Sequence, residues 1–481
     1  MGDPRALTLA TLALLAGCSP RGPEPYGEVL LNVDTDLPVP RVVSQLRVDL
    51  YADDGRWFES RTIGLPDAAS WPVSFSVYSA DDSRTARVWV RLRAHSDGAE
   101  RDYRGERFTH EGDVAPAPAG ESPRLVQSGI DVTPPTEPLP ALSVDRLFSL
   151  SLEPGHRDTA DVLLQGACSG AMAWLTEPRT ACFDGSRVTV GDLHGKPGIS
   201  RATESKVGTW SEPCAGAGDS ERVCIPGGAS IMGSRELLLY PDKAPSPERV
   251  VHLSRFWVDR HEVTVGRFRA ALAAGFAPQA MPTVNAGVLG PDYVKNGCTW
   301  QAAPGDREGF ALSCVSQQTA RQLCQFSGGD LPTEAQWEYM ATSAGRDRRT
   351  PFPWGESAPA CDQAVFGRLS LAGSPGVCEA LGLGPLPADS GTGDRTPLGV
   401  HGLAGGLSEW VLDSYEDYSA PCWRQAPVTE PQCQTATLER ALRGGSWAAP
   451  PTVLRSAARL GAEGAGKAPF IGFRCVYPEA S

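Results

Sequence analysis

Apolar and polar residues alternate with a period of two along the first part of the chain. Between Tyr26 and about Ser96, Leu46, Val48 and Leu50 fall on one side and Gln45, Arg47 and Asp49 on the other. Val88, Val90 and Leu92 likewise alternate with Arg87, Trp89, Arg91 and Arg93. This pattern predicts strands that bury one face and wet the other, as antiparallel sheets do. Asp54-Gly55 between two such runs is a hairpin signal. After Pro/Ala-rich loops at 113–123 and 134–140, strand-like runs return at Leu147–Leu152, Thr159–Leu164 and Arg187–Val190. The expectation is an all-β, sandwich-like region over residues 26–215, as one sandwich or two small ones. His156, His194, Asp49 and Asp53 have no neighbours at ligand spacing and are expected on the solvated surface.

Near residue 222 the pattern changes. Val250 to Val258 reads as a strand pair. Thr264 is placed to cap a helix whose Val265, Phe268 and Leu272 share one face, with Gly275 as its stop. Ser316 caps a second helix carrying Ala320 and Leu323, closed by Gly328-Gly329. Thr333-Glu334-Ala335-Gln336 spells a capping box, in which the Thr333 hydroxyl accepts the Gln336 N–H and the Gln336 side chain answers. Trp337 and Met340 then fall on the buried side.

Length and charge narrow the classes. The 481 residues allow about three folding units. The net charge of -13 and the lack of a basic stripe argue against a nucleic-acid partner. After the N-terminus no apolar run reaches the roughly 18 residues of a spanning helix. The 52 Gly and 42 Pro favour turns and short strands over long helices. At the start, Ala6–Ala16 is an apolar run after Arg5, and it ends in Leu15-Ala16-Gly17-Cys18. It reads as a signal peptide over 1–17. The small residues before Cys18 resemble a bacterial lipoprotein cleavage box, which implies lipid on Cys18, a proline-rich tether over 18–25 and attachment to a membrane. Ser19 after the cysteine implies the outer membrane of a Gram-negative cell.

Export puts the cysteines in an oxidising compartment. Of the 13 Cys, Cys18 leaves twelve. Sequence-near couples are Cys168/Cys182, Cys214/Cys224, Cys298/Cys314, Cys361/Cys378 and Cys422/Cys433, which leaves Cys324 for Cys475. No C-x-x-C spacing occurs, so a zinc reading of these cysteines has little support.

The motifs from about 222 to 478 resemble the formylglycine-generating enzyme (sulfatase-modifying factor) family. They are Met232-Gly233; Glu262-Val263-Thr264; Leu331 to Tyr339; Pro353-Trp354-Gly355; Gly402-Leu403-Ala404-Gly405 with Glu409-Trp410; Arg443-Gly444-Gly445-Ser446-Trp447; and Ile471-Gly472-Phe473-Arg474. The resemblance implies an irregular α+β domain of C-type-lectin-like fold over 222–478, with the last strand beside the helix that carries Cys324. In that setting Trp337, Trp354, Trp410 and Trp447 are expected in the core, and Arg443 and Arg474 as interior charges held by Glu338 or Glu409.

The chain departs from the family at the reactive centre. Family enzymes oxidise a Cys of a sulfatase peptide with oxygen and with copper held by two thiolates a few residues after Arg-Gly-Gly-Ser. Here that stretch is Trp447-Ala448-Ala449-Pro450-Pro451-Thr452-Val453-Leu454-Arg455, without sulfur; copper is therefore not expected. Some relatives hold non-haem iron through histidines, but His252, His261 and His401 form no pair spaced along one helix. A family calcium site survives only in part, with Glu409 kept and its Asn replaced by Gly406.

The reading favoured is a cell-envelope lipoprotein whose family domain lacks the family's copper-binding cysteine pair, offers no catalytic residue of its own to name, and serves as a binding or scaffold module. Its groove at Trp447, Arg455 and Arg459 holds a peptide or glycan. The alternatives are an active formylglycine-type oxidase with a displaced thiol, a non-haem iron oxygenase, or a purely structural protein whose groove is filled by its own side chains. Non-reducing peptide mapping is expected to recover the six cystine pairs named above; free thiols at several of these positions would overturn the scheme.

Overall fold

The computed structural model describes residues 27–79, 81, 83–102, 124–191, 211–214, 216, 219–237, 245–285, 297–369 and 375–478. The signal peptide, Cys18, the tether and His194 lie outside the described residues.

The alternating runs form a sandwich of two sheets. One sheet holds β1 (Glu28–Thr35), β4 (Val73–Tyr78) and β11 (Arg157–Leu164) in the order β11-β1-β4. The other holds β2 (Gln45–Ala52), β3 (Trp57–Gly64), β5 (Ala86–His95) and β10 (Ser143–Leu152) in the order β10-β5-β2-β3. The Asp54-Gly55 hairpin joins β2 to β3, with Gly55 at φ +84°. Val29, Leu31 and Val33 of β1 pack against Leu46, Val90, Leu92 and Leu150 of the facing sheet. A parallel β1–β11 pairing and an antiparallel β1–β4 pairing flank the same strand.

The second face of the four-stranded sheet is not wet. Arg47, Asp49, Arg91 and Arg93, expected in solvent, are all at most 2% exposed. The chain after β5 folds back over them: β6 (Glu100–Asp102) pairs with β9 (Thr136–Pro138), and the hairpin of β12 (Thr180–Phe183) and β13 (Ser186–Thr189) covers the rest. β7 (Val126–Gln127) and β8 (Ile130–Asp131) form a further short hairpin between them. Each buried charge has a partner. Arg91 pairs with Asp145 at 2.6 Å and Arg93 with Asp49 at 2.7 Å; Arg47 reaches Asp49 at 3.0 Å and Arg101 reaches Glu137 at 2.6 Å. A period-two pattern reports which side chains share a face. It does not report whether another layer covers the polar one. Asp53 and His156 are exposed, as expected.

The C-terminal unit contains little regular structure. One sheet is formed by β14 (Ser211–Glu212), β16 (Gly227–Met232) and β17 (Arg249–Leu253). A second is formed by β15 (Arg222–Ile225), β18 (Phe256–Asp259) and β23 (Val476–Tyr477). The third takes β19 (Ser408–Ser414), β20 (Glu439–Arg443), β21 (Arg459–Glu463) and β22 (Ile471–Gly472) in the order β21-β20-β19-β22. Because β14 pairs with β16, this unit starts at 211 rather than at the expected 222. Its longer helices among the described residues are α1 (Val265–Ala273), α2 (Gln317–Phe326) and α3 (Glu334–Thr342), capped by Thr264, Ser316 and Thr333. The Thr333/Gln336 capping box is formed from both sides. Among the described residues no helix is long and apolar enough to cross a membrane.

The two units share a core. Ala229, Ile231 and Val250 of the C-terminal unit pack into the sandwich cluster, and Arg41 donates to the carbonyls of Ser343 and Arg346 at 3.1 and 2.8 Å.

Six cystines brace this core. They join Cys168 to Cys182, Cys214 to Cys224, Cys298 to Cys314, Cys324 to Cys475, Cys361 to Cys378 and Cys422 to Cys433. Cys182, Cys224, Cys314 and Cys433 are all buried, as are Cys168, Cys298, Cys324, Cys378 and Cys475. Cys168 and Cys182 pack into the sandwich cluster; Cys433 lies against Trp423 and Tyr418. Cys224 sits on β15, and Cys314 lies just ahead of the Ser316 cap of α2. These are the six pairs expected from the sequence, and they act as structural braces. Their sulfurs are spent in cystines, so they offer no thiol. The Cys324–Cys475 bond ties α2 to the last strands across 151 residues. In the chain-entropy account it constrains the unfolded chain by roughly 5 kcal/mol, against about 3 kcal/mol for each short loop.

Asp145→Ala leaves Arg91 buried without its carboxylate, so it is expected to destabilise the protein by about 3–5 kcal/mol in urea unfolding. An unchanged midpoint would show that the buried charge layer contributes nothing.

Candidate functional site

Helix α3 exists because Thr333 and Gln336 satisfy its first N–H groups, and it buries an acidic face. Glu334 and Glu338 are no more than 1% exposed. Arg443 from β20 donates to Glu334 at 3.1 Å, to Glu338 at 2.7 Å and to the Ser456 carbonyl at 2.6 Å. Arg459 from β21 grips Glu334 through two nitrogens at 2.5 and 2.9 Å. Burial pushes Glu334 upward, but Arg459 and Arg443 together hold it below its ordinary value. Arg474 pairs with Glu409 at 2.6 Å, and the Trp337 indole donates to the other Glu409 oxygen at 2.8 Å. Both oxygens of Glu409 are thereby used within the protein. The calcium role expected of Glu409 is not what its geometry serves.

The segment after Ser446 folds inward. Trp447 is fully buried, donates to the Pro469 carbonyl at 3.0 Å and packs with Ala311, Val365 and Leu407. Ala449 and Leu454 pack with Phe352, Phe366 and the Cys361–Cys378 cystine. Trp354 is half-buried there, stacked on Phe352 at 5.0 Å. The family's copper requires two thiolates. The residues present do not fit it: this segment has no sulfur, and every cysteine among the described residues is in a disulfide. The half-cystines nearest in sequence, Cys433 and Cys475, are bonded to Cys422 and Cys324 and cannot supply the missing pair.

The expected groove is corrected accordingly. Trp447 and Arg459 are core residues, because an indole with one internal acceptor and a guanidinium with a bidentate carboxylate are stable away from water. Arg455 alone remains accessible. It lines a polar cavity of about 300 Å³ with Arg235, Glu248, Arg349 and Glu356.

A second feature escaped the sequence reading. Glu262 and Asp394 are buried beside a cavity of about 20 Å³, room for about one water. Asp394 Oδ2 accepts the N–H groups of Ala404 and Gly405 at 2.9 and 2.8 Å. Among the described residues, Glu262 Oε2 and Asp394 Oδ1 have no protein partner. Gly402 and Gly406 adopt φ +66° and +74°, and a Cβ on either would come within 2.7 or 2.5 Å of the Glu262 carboxylate. Glu262 thus takes the space that a side chain at 406 would need. Burial raises Glu262 to about 8 and Asp394 to about 6. The only sequence signal was Glu262-Val263-Thr264 as a motif, which says nothing of burial.

The histidines divide. His252 sits on β17. His261 and His401, 140 positions apart, come into ring contact at 4.9 Å. Among the described residues no group of three His, Cys, Asp or Glu is placed to hold a metal ion.

A family profile described as "Sulfatase-modifying factor enzyme 1-like domain" matches residues 213–478. The formylglycine-generating enzyme of Thermomonospora curvata is 30% identical over 292 residues, covering 53% of this chain and 92% of that protein. The hercynine oxygenase of Mycolicibacterium smegmatis is 26% identical over 267 residues, covering 49% of this chain and 56% of that protein. Among solved structures, PvdO from Pseudomonas aeruginosa is 22% identical, with 53% of this chain and 93% of that chain covered and a TM-score of 0.40.

The raised carboxyls set a pH dependence. Folded Glu262 keeps its proton from its ordinary 4.5 up to about 8, while the unfolded chain has already lost it. The unfolded state then binds fewer protons, so stability falls as pH rises through this window. Asp394 (about 6) and Asp413 (about 7) act in the same direction. Glu262→Gln is expected to flatten the decline between about pH 5 and pH 8 by roughly 1 kcal/mol per pH unit and to be more stable than the parent at pH 8. Identical slopes in denaturant titrations would refute this.

Proposed function

Because the chain belongs to the sulfatase-modifying factor enzyme 1-like family, we propose that its C-terminal domain is a binding or scaffold module of the cell envelope that has lost the thiolate-copper oxidation. One observation carries this reading. The stretch from Trp447 to Arg455, in which the family's thiolate pair is expected, holds no sulfur; its Ala449 and Leu454 are packed into an apolar cluster, and the cystine in that cluster is already oxidised. Neither aliphatic side chain can bind copper or form a mixed disulfide with a peptide thiol.

The ligand-facing surface of the proposal is the polar cavity at Arg455. Arg455 offers a planar fork of donors, and Glu248 and Glu356 line the same cavity. A peptide or a glycan suits that mixture of donors and acceptors. Anchoring is assigned to lipid on Cys18, with the proline-rich residues 19–25 as spacer and the outer membrane as destination.

Purified full chain, incubated with a Cys-type sulfatase peptide, Cu(I), a thiol reductant and oxygen, is expected to yield no formylglycine by mass spectrometry. Product formation with one copper per chain would overturn the reading. Arg455→Ala is expected to lower binding to a peptide or glycan array about tenfold, the loss of a charged hydrogen-bond partner. Cys18→Ser is expected to move the protein from the detergent phase to the aqueous phase.

A further inference from the structure

The two sheets of the sandwich part along one side. β4 ends one sheet and β3 ends the other. Between these strands lies a cleft of about 450 Å³, within the range of small-molecule sites. Val48, Leu50, Val77, Val88 and Leu152 form its floor, and each is at most 8% exposed. Phe58 and Ile63 of β3 and Phe75 of β4 line its sides and are half-buried. Polar groups stand at the rim: Arg61 and Tyr78 are exposed, and Arg61 pairs with Glu59 at 2.6 Å. Among the described residues, none of the buried polar atoms without a partner belongs to this lining.

The first described residue lies at the mouth of this cleft. The Ser79 N–H donates to the Gly27 carbonyl at 3.0 Å, and Glu28 sits opposite Tyr78 in the ladder. Gly27 is so close to the Leu152 backbone that a Cβ on it would come within 2.8 Å. Tyr78, Ser79 and Leu152 all line the cleft.

We infer that the cleft between β3 and β4 holds one acyl chain of the lipid on Cys18, an inference that rests on the lipid anchor proposed above. Reach is the first ground. Cys18 precedes Gly27 by nine residues, a span of at most about 30 Å, so its lipid stays within range of the mouth. A group on so short a tether acts at a millimolar effective concentration. Chemistry is the second ground. A hydrocarbon chain has no donor or acceptor to satisfy, and the floor offers none. An extended peptide pushed between two sheets would strand its own N–H and C=O groups. The remaining chains stay in the bilayer, so the mouth of the cleft faces the membrane.

Cells that express the full chain and are fed a diazirine fatty acid place a photoreactive chain on Cys18. After irradiation, mass spectrometry is expected to find that lipid cross-linked to the Phe75–Tyr78 or Ala86–Val88 segment. Val88→Trp fills the floor and should cut this cross-link at least tenfold with the lipid still on Cys18; Ala86→Phe at the half-buried rim should do the same if Val88→Trp does not fold. Leu381→Ser, outside the cleft, should change nothing. Independently of the anchor, full-length Cys18→Ser should bind one cis-parinaric acid per chain, and saturated fatty acids should displace it about fourfold better per added methylene. Lipid on Cys18 with cross-links confined to bilayer lipids, or no saturable binding of the acid, would overturn the inference and leave the anchor standing. An unmodified Cys18 would overturn both.

Discussion

Three arginines stand in the centre of the C-terminal domain, and their pairing with glutamates is the constraint around which it is built. An ion moved from water into a protein interior costs several kcal/mol unless its partners replace the lost hydration. Arg443 and Arg459 share Glu334, Arg443 also reaches Glu338, and Arg474 holds Glu409. The first three pairs join α3 to β20 and β21, which lie 105 to 125 residues further along the chain. The fourth ties the last segment to β19. A domain with so little regular structure has few backbone ladders to fix its loops. The buried pairs supply fixed crossing points in their place, and the cystines supply others.

The same economy explains why a reactive frame can persist without its reaction. The arginine-carboxylate pairs, the indoles of Trp337 and Trp447 and the Cys324–Cys475 bond are all satisfied inside the protein. None of them depends on sulfur in the segment from Trp447 to Arg455. Ala449 and Leu454 in that segment add apolar packing and carry no redox chemistry. At Gly406, the absence of a side chain leaves room for the Glu262 carboxylate, which burial keeps protonated at neutral pH.

Several elements were legible because their causes are local. Thr264, Ser316 and Thr333 cap helices through hydrogen bonds that span three residues. Gly55 turns a hairpin because it tolerates positive φ. The five short cystine loops, such as Cys168–Cys182 and Cys422–Cys433, follow from proximity along the chain, and the long one follows from what remains. How deeply Cys182, Cys224, Cys314 and Cys433 sit in the core was not legible, because burial is set by what packs over a loop. Arg443 and Arg474 could be expected to need carboxylates, because a buried guanidinium always does.

The sequence by itself determined the periodicity of the strands, the helix caps, the family motifs and the missing thiolate pair, because each is written within a few consecutive residues. It placed Asp49 in solvent and Trp447 and Arg459 along a groove, and it treated His261 and His401 as unrelated. Only the tertiary structure decided those points. Whether a polar face is covered, and which distant side chains meet, depends on chain segments that return from 40 to 140 residues away, and no local pattern encodes that return.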